Sequence, residues 1–281
     1  MKKINIASAA LTLAAVFVAA PAAAQTTWNF GNGGNCDITG STAAMNCSAG
    51  TNNTVLAEGY SALYAAGSQY VRGTLTDQGG SGLGFTGQGE GTNPGSPQHG
   101  FDNNGAHELL FLNFGTNKVV ISSFTTGWSN TDTDVSLLRW VGTAAPNSMP
   151  TMNVTTANLL SSGWALVGSA DLDRTNTTDS RNFGSNTFTS GLAANAANSS
   201  SWWIISSYFG ANVTTGTGTG NLDGHNDYFK LLSVQSTCVS NSSGGACNVV
   251  PRGSVPEPGS LALAGLALAG VAWVRRRKLA D

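Results

Sequence analysis

Two short stretches concentrate the oxygen ligands that a hard cation needs: "HGFDNNGAHE", from His99 to Glu108, and "DGHND", from Asp223 to Asp227. Carboxylate and amide oxygens on glycine-rich loops suit the shell of about six to eight oxygens that Ca²⁺ prefers. Asp102, Asn104, Glu108, Asp223 and Asp227 are therefore candidate Ca²⁺ ligands. The EF-hand spacing is absent, and Asp and Asn in such company also serve turns by accepting local backbone hydrogen bonds. Both roles are open on the sequence.

Cleavage of sugars needs two carboxylates a defined distance apart, and Glu90, Glu108, Asp132 and Asp134 are candidates by residue type. The three histidines, His99, His107 and His225, stand among Asn, Gly and Asp. No G-x-S-x-G or H-E-x-x-H pattern occurs, nor the G-x-x-x-x-G-K-[ST] loop that cradles phosphates. The expectation is a protein without catalysis. Among the tryptophans, Trp140, Trp164, Trp202 and Trp203 sit at strand positions where burial is the usual outcome. Trp128, beside "SNTDTD", is the candidate for an exposed sugar-stacking face.

The elements that must position these residues are short apolar segments alternating with turns. "QYVRGTL", "HELLFLNFG", "NKVVISSFTTGW", "DVSLLRWVG", "GWALVGSADL", "SWWIISSYFG" and "YFKLLSVQ" read as strands between Gly, Asn, Thr and Ser clusters. This spacing predicts an all-β fold, a β-sandwich or jelly roll. In "DVSLLRWVG" Val135, Leu137 and Val141 can share one face, while "WWII" is apolar on both faces and reads as a central strand. "TTANLLSSG" is the one helical candidate of the body, one or two turns ended by Gly163. The 36 glycines and a charged fraction of only 10% favour strands and turns over helices.

Four cysteines lie in two pairs, Cys36 and Cys47 near the front of the body and Cys238 and Cys247 near its end. Three connectivities are possible, and local pairing is preferred because each pair brackets a short Gly/Ser/Asn-rich loop. A zinc site is the alternative, without C-x-x-C spacing or a nearby His to support it. Disulfides agree with an oxidising destination.

Both ends carry export features. Lys2 and Lys3 precede an apolar run to about Ala20, and Ala22, Ala23 and Ala24 supply small residues for cleavage before Gln25, a signal-peptide pattern. Signal peptidase and the secretory translocon are the partners this implies. At the other end an apolar run from Gly259 to Val274 is followed by Arg275, Arg276, Arg277 and Lys278, which the positive-inside rule keeps cytoplasmic. Pro256 and Pro258 fix their own backbone angles and hold Val255 and Glu257 extended, so this segment stays open to a processing enzyme. Between Gln25 and Glu257 stand 7 basic and 14 acidic side chains, a formal charge of −7. Nucleic acid is a poor partner for such a body.

Together the Pro256-Glu257-Pro258 motif, the apolar span and the basic cluster resemble the PEP-CTERM sorting signal. That resemblance implies an exosortase as processing enzyme, with Pro256, Glu257, Pro258, Arg275, Arg276 and Arg277 as recognition elements. It also implies a Gram-negative host, an inner-membrane intermediate, and a final place at the cell surface or in the extracellular matrix, with exopolysaccharide as a partner. The blocks "SPQHGFDNNG", "LLFLNFG", "TGWSNTDTDVSLLRWVG", "SGWALVG" and "LDGHNDYFKLLSV" resemble exosortase-dependent surface proteins, whose β-rich bodies have no assigned catalysis. The expected organisation is a signal peptide over 1–24 as a helix, a single secreted domain over 25–254, and a sorting signal with a transmembrane helix over 255–281. The expected role is that of a matrix or biofilm structural protein; the alternative is a calcium-dependent carbohydrate-binding module.

Overall fold

The computed structural model describes residues 25–31, 33–36, 40–50, 53–90, 99–130, 132–147, 151–172, 181–209, 222, 226–241 and 247. In chain order the strands begin with β1 (Gln25–Asn29), β2 (Ser41–Thr42), β3 (Ala44–Ser48), β4 (Thr54–Leu63), β5 (Gln69–Arg72), β6 (Thr74–Asp77), β7 (Leu83–Thr86) and β8 (Phe101–Asp102). They continue with β9 (Ala106–Asn113), β10 (Asn117–Asn130), β11 (Asp134–Trp140), β12 (Thr151–Thr155), β13 (Trp164–Asp171), β14 (Arg181–Thr189), β15 (Trp202–Ser207) and β16 (Tyr228–Asn241). Among the described residues there is no α-helix, and no helix long and apolar enough to cross a membrane. The expected signal helix and C-terminal span lie outside the described residues.

Two sheets form. The first runs β14-β10-β16-β7-β6-β2, with β1 and β8 also paired to the long β16. The second runs β12-β5-β4-β9-β15-β11-β13, with β3 added on β4. Their facing sides share one core: Phe85, Phe124, Phe229 and Val234 from the first sheet meet Leu110, Leu112, Leu137, Trp203 and Ile205 from the second. Burial of each such side chain stabilises the fold by about 1.5–3 kcal/mol.

The second sheet is buried on its other face as well. Alternation along β9 sends Leu110 and Leu112 into the shared core, and Leu109 and Phe111 into a second cluster with Tyr60, Tyr70, Leu138, Met152, Leu159, Trp164 and Ile204. Met152 on β12 and Leu159 between two 3₁₀ turns, Thr156–Asn158 and Leu160–Ser162, belong to this second layer. That is why "LLFL" in β9 and "WWII" are apolar without interruption; β15 lies between β9 and β11, as its pattern predicts. The "TTANLLSSG" segment forms these 3₁₀ turns and stops at Gly163, whose φ of 116° is left-handed. Val141 departs from expectation: it falls beyond the end of β11 and is 53% exposed, whereas Val135 and Leu137 are in the core.

Cys36 bonds to Cys47 and Cys238 to Cys247, the local pairing. The antiparallel register also polarises the second sheet. Ser207 at the end of β15 lies opposite Val135 near the start of β11, and Ser206 lies opposite Leu109 near the start of β9. One end of the sheet thus gathers Glu108, Asp134 and Ser207. The opposite end gathers Asn113, Trp140 and Trp202.

Candidate functional site

At the first of these ends lie five of the six acids buried among the described residues, Glu58 on β4 being the exception. Glu108 enters from β9 with 1% exposure, and Asp102 from β8 with 3%. Glu90 joins them from the loop after β7, and single oxygens of the three lie within 4.8 Å of one another. The Asp102 backbone N–H donates to Glu108 Oε2 at 3.1 Å, and Asp102 Oδ1 accepts from the Asn104 N–H at 2.9 Å. Gly87 donates its N–H to Glu90 Oε2 at 2.7 Å. A Cβ at position 87 would collide with Glu108 Oε1 and with Ser61, so glycine is what lets the backbone pass this carboxylate.

Asp132, Asp134 and Asp227 form a second group, likewise with oxygens within 4.8 Å. All three are buried. Asp227 Oδ1 accepts the Asp134 N–H at 2.9 Å, while Oδ2 accepts the Tyr208 N–H at 3.2 Å and the Asn103 side-chain amide at 2.6 Å. The Asp227 N–H returns a bond to Asn103 Oδ1 at 2.8 Å. Asn103 directly follows Asp102, so one buried amide ties the two groups together.

Burial disfavours the charged forms. It raises the Glu108 carboxyl well above the usual range, with Asp102 and Glu90 adding repulsion. It pushes Asp102 up to about 7, against the pull of the Asn104 N–H. Asp227 is pushed up to about 9 by burial, opposed by the Asp134 and Tyr208 donors and reinforced by Asp134 and Asp132. Crowded carboxyls of this kind are neutralised by protons or by a divalent cation. An all-oxygen donor set suits Ca²⁺ rather than zinc.

The five candidate ligands do not assemble as one shell. Asp102 and Glu108 come together, but their third partner is Glu90; Asp227 belongs to the other group. Asn104 is exposed at the turn, and the buried amide is Asn103, at 5% exposure. Asp223 lies outside the described residues. Asp132 and Asp134, candidates by residue type for sugar hydrolysis, are packed against Asp227 within the fold. Glu90 offers no linear signal for its role, because its partners arrive from β8 and β9.

Trp128 is corrected by the structure. It is 7% exposed, and Lys230 Nζ stands 4.7 Å from its ring centroid, so the proposed sugar-stacking face is already covered. His107 is buried on the outer face of the second sheet, its Nδ1 2.7 Å from the Tyr70 hydroxyl and its Nε2 3.3 Å from the Ser207 carbonyl oxygen. Burial lowers its pKa to about 4, which keeps the ring neutral.

The sorting-signal residues, Pro256, Glu257, Pro258, Arg275, Arg276 and Arg277, lie outside the described residues. Comparison with known families bears on them directly: residues 254–277 match the PEP-CTERM protein-sorting motif. No match to this chain was found among curated proteins or among solved structures.

Proposed function

With residues 254–277 a PEP-CTERM protein-sorting motif, and the chain therefore an exported protein that passes through a membrane-anchored intermediate to an exosortase, we propose that its body is a non-catalytic structural component of the cell surface or extracellular matrix. The sorting motif carries this reading. A β-sandwich closed by two local disulfides supports it, being a form suited to an oxidising exterior. On this reading the tail residues are contacts for the processing enzyme, and the product leaves the membrane once the motif is cut.

The test is the intact mass of the protein recovered from the cell surface and medium, with and without the host's exosortase. A product starting at Gln25 and ending near Pro256, lost when the enzyme is absent, is the expected result. A product retaining Trp273 and the basic tail in both strains would make the protein permanently membrane-anchored and end this reading.

A second reading is favoured by one observation, the two groups of three carboxylates, five of the six buried. It makes the body a calcium-dependent carbohydrate-binding module, with Ca²⁺ held at one or both groups and stiffening that end of the sandwich. Unchanged melting after exhaustive chelation would exclude the calcium part of it.

A further inference from the structure

The end of the second sheet remote from the acids carries a groove of about 560 Å³. Its lining contains Lys118 and Arg139 and no acidic side chain. Among the described residues, Arg72 is bound to Glu58 at 3.1 Å and Lys230 covers Trp128, whereas Lys118 and Arg139 both face this one groove. In a body of formal charge −7 that convergence is a local reversal of sign.

Two indoles complete the groove. Trp140 and Trp202 lie one residue beyond Arg139 and Trp203, the last pair joining β11 to β15, and both are partly exposed. The Trp140 ring is fixed in place. Its N–H donates to the Ala144 carbonyl at 2.6 Å, and it meets Trp164 edge-on at 5.2 Å between centroids. A Cβ on Gly142 or Gly163 would run into it. Arg139 is held as well, donating from Nη1 to the Ala197 carbonyl at 2.6 Å. Ser199 and Thr143 add hydroxyls to the lining.

We propose that this groove binds an acidic oligosaccharide, one whose sugar rings lie against Trp140 and Trp202 while a carboxylate pairs with Arg139 and Lys118. Flat, preorganised indoles are surfaces on which the apolar faces of pyranose rings pack. The Arg139 guanidinium presents a donor fork that fits a carboxylate. A denser polyanion such as nucleic acid would meet the repulsion of the negative body at every phosphate beyond the groove. This inference rests on the reading of the body as a matrix component and names the ligand class that such a component would hold.

The experiment titrates the processed protein recovered from cells with an oligogalacturonate, its methyl-esterified neutral counterpart and duplex DNA, following heat and tryptophan fluorescence. Binding of the acidic sugar, with affinity at least about tenfold lower for the neutral one, is the expected result, since an ionised hydrogen bond is lost. Lys118→Gln, at an exposed position, and Arg139→Gln are each expected to weaken the acidic sugar by about tenfold and to leave the far-ultraviolet spectrum unchanged. Trp202→Ala is expected to weaken both sugars alike. Equal affinity for acidic and neutral sugars, binding untouched by Lys118→Gln and Arg139→Gln, no sugar binding, or preference for DNA would each overturn the assignment. Because the protein is first located by mass in the surface fraction, loss of sugar binding and loss of the matrix reading register separately.

Discussion

Asn103 and Asp227, 124 residues apart, exchange two hydrogen bonds, side-chain amide to carboxylate at 2.6 Å and backbone N–H to amide oxygen at 2.8 Å. This reciprocal pair closes the acidic end of the sandwich. It joins the loop before β9 to the start of β16, and through Asp227 it reaches Asp134 and Tyr208.

Replacing Asn103 with Ala removes both bonds of this pair at once, while Asp227 keeps the Asp134 and Tyr208 donors. Buried groups left unsatisfied cost about 1–3 kcal/mol each. The expected outcome is a loss of stability within that range, read as a lower urea midpoint with an unchanged slope. A change below about 0.5 kcal/mol, the usual size of a surface substitution, would mean that water takes over the bonds.

The buried carboxyls give chelated protein a pH dependence of definite sign. Asp227 and Glu108 hold protons more tightly in the folded than in the unfolded state, so their contribution is greatest at low pH and declines as pH rises through the folded values. The clean window is pH 6.5 to 8. Below it His107, lowered to about 4, destabilises the fold by charging in the unfolded chain, and above it Lys230, lowered to about 8, acts in the opposite sense to the acids. In chelator the melting temperature is expected to fall across the window. Added Ca²⁺ is expected to raise it and flatten the slope; a flat profile in chelator would show that the carboxyls are not carrying protons.

His107 itself is expected to stay neutral in the folded state. Its ring carbons in a nuclear magnetic resonance titration should hold their shifts from pH 7 to pH 5, because burial holds its pKa near 4. Titration near 6.5, the value of an exposed ring, would show that water reaches the Tyr70 pair.

The disulfides close loops of 11 and 9 residues in sequence separation. Cys36 and Cys47 are both buried in the core, so Cys36→Ser with Cys47→Ser is expected to cost about 2–3 kcal/mol or more. Thermal unfolding of the double variant against the parent, both without reductant, provides the measure. Equal midpoints would show that the core holds this loop without the bond.

Much of the scaffold is legible in the sequence because it depends on near neighbours. "WWII" announces a strand buried on both faces, Gly163 ends the "TTANLLSSG" segment, and closely spaced cysteines pair with one another. Residue type alone also marks Asp102, Glu108 and Asp227 as acids of interest. Their partners are not readable, since Glu90 reaches Asp102 and Glu108 from the loop after β7, and Asn103, Asp132 and Asp134 meet Asp227 only where segments distant in the chain come together. Trp128 shows the same limit: a polar run beside it suggests exposure, but Lys230 from β16 covers its ring.

What is legible along the chain is a signal for export and for a membrane-anchored sorting intermediate. The tail is a linear signal of two prolines, an apolar span and a basic cluster, and residues 254–277 match the sorting motif without reference to any fold. Folding sets which acids are neighbours, which tryptophans are covered, and that Lys118 and Arg139 share a groove with two indoles at the end opposite the carboxylates. The reason is physical. A linear signal is read along the chain, whereas a site in a sandwich is made by hydrogen-bonded strands whose alignment is set by core packing across more than a hundred residues.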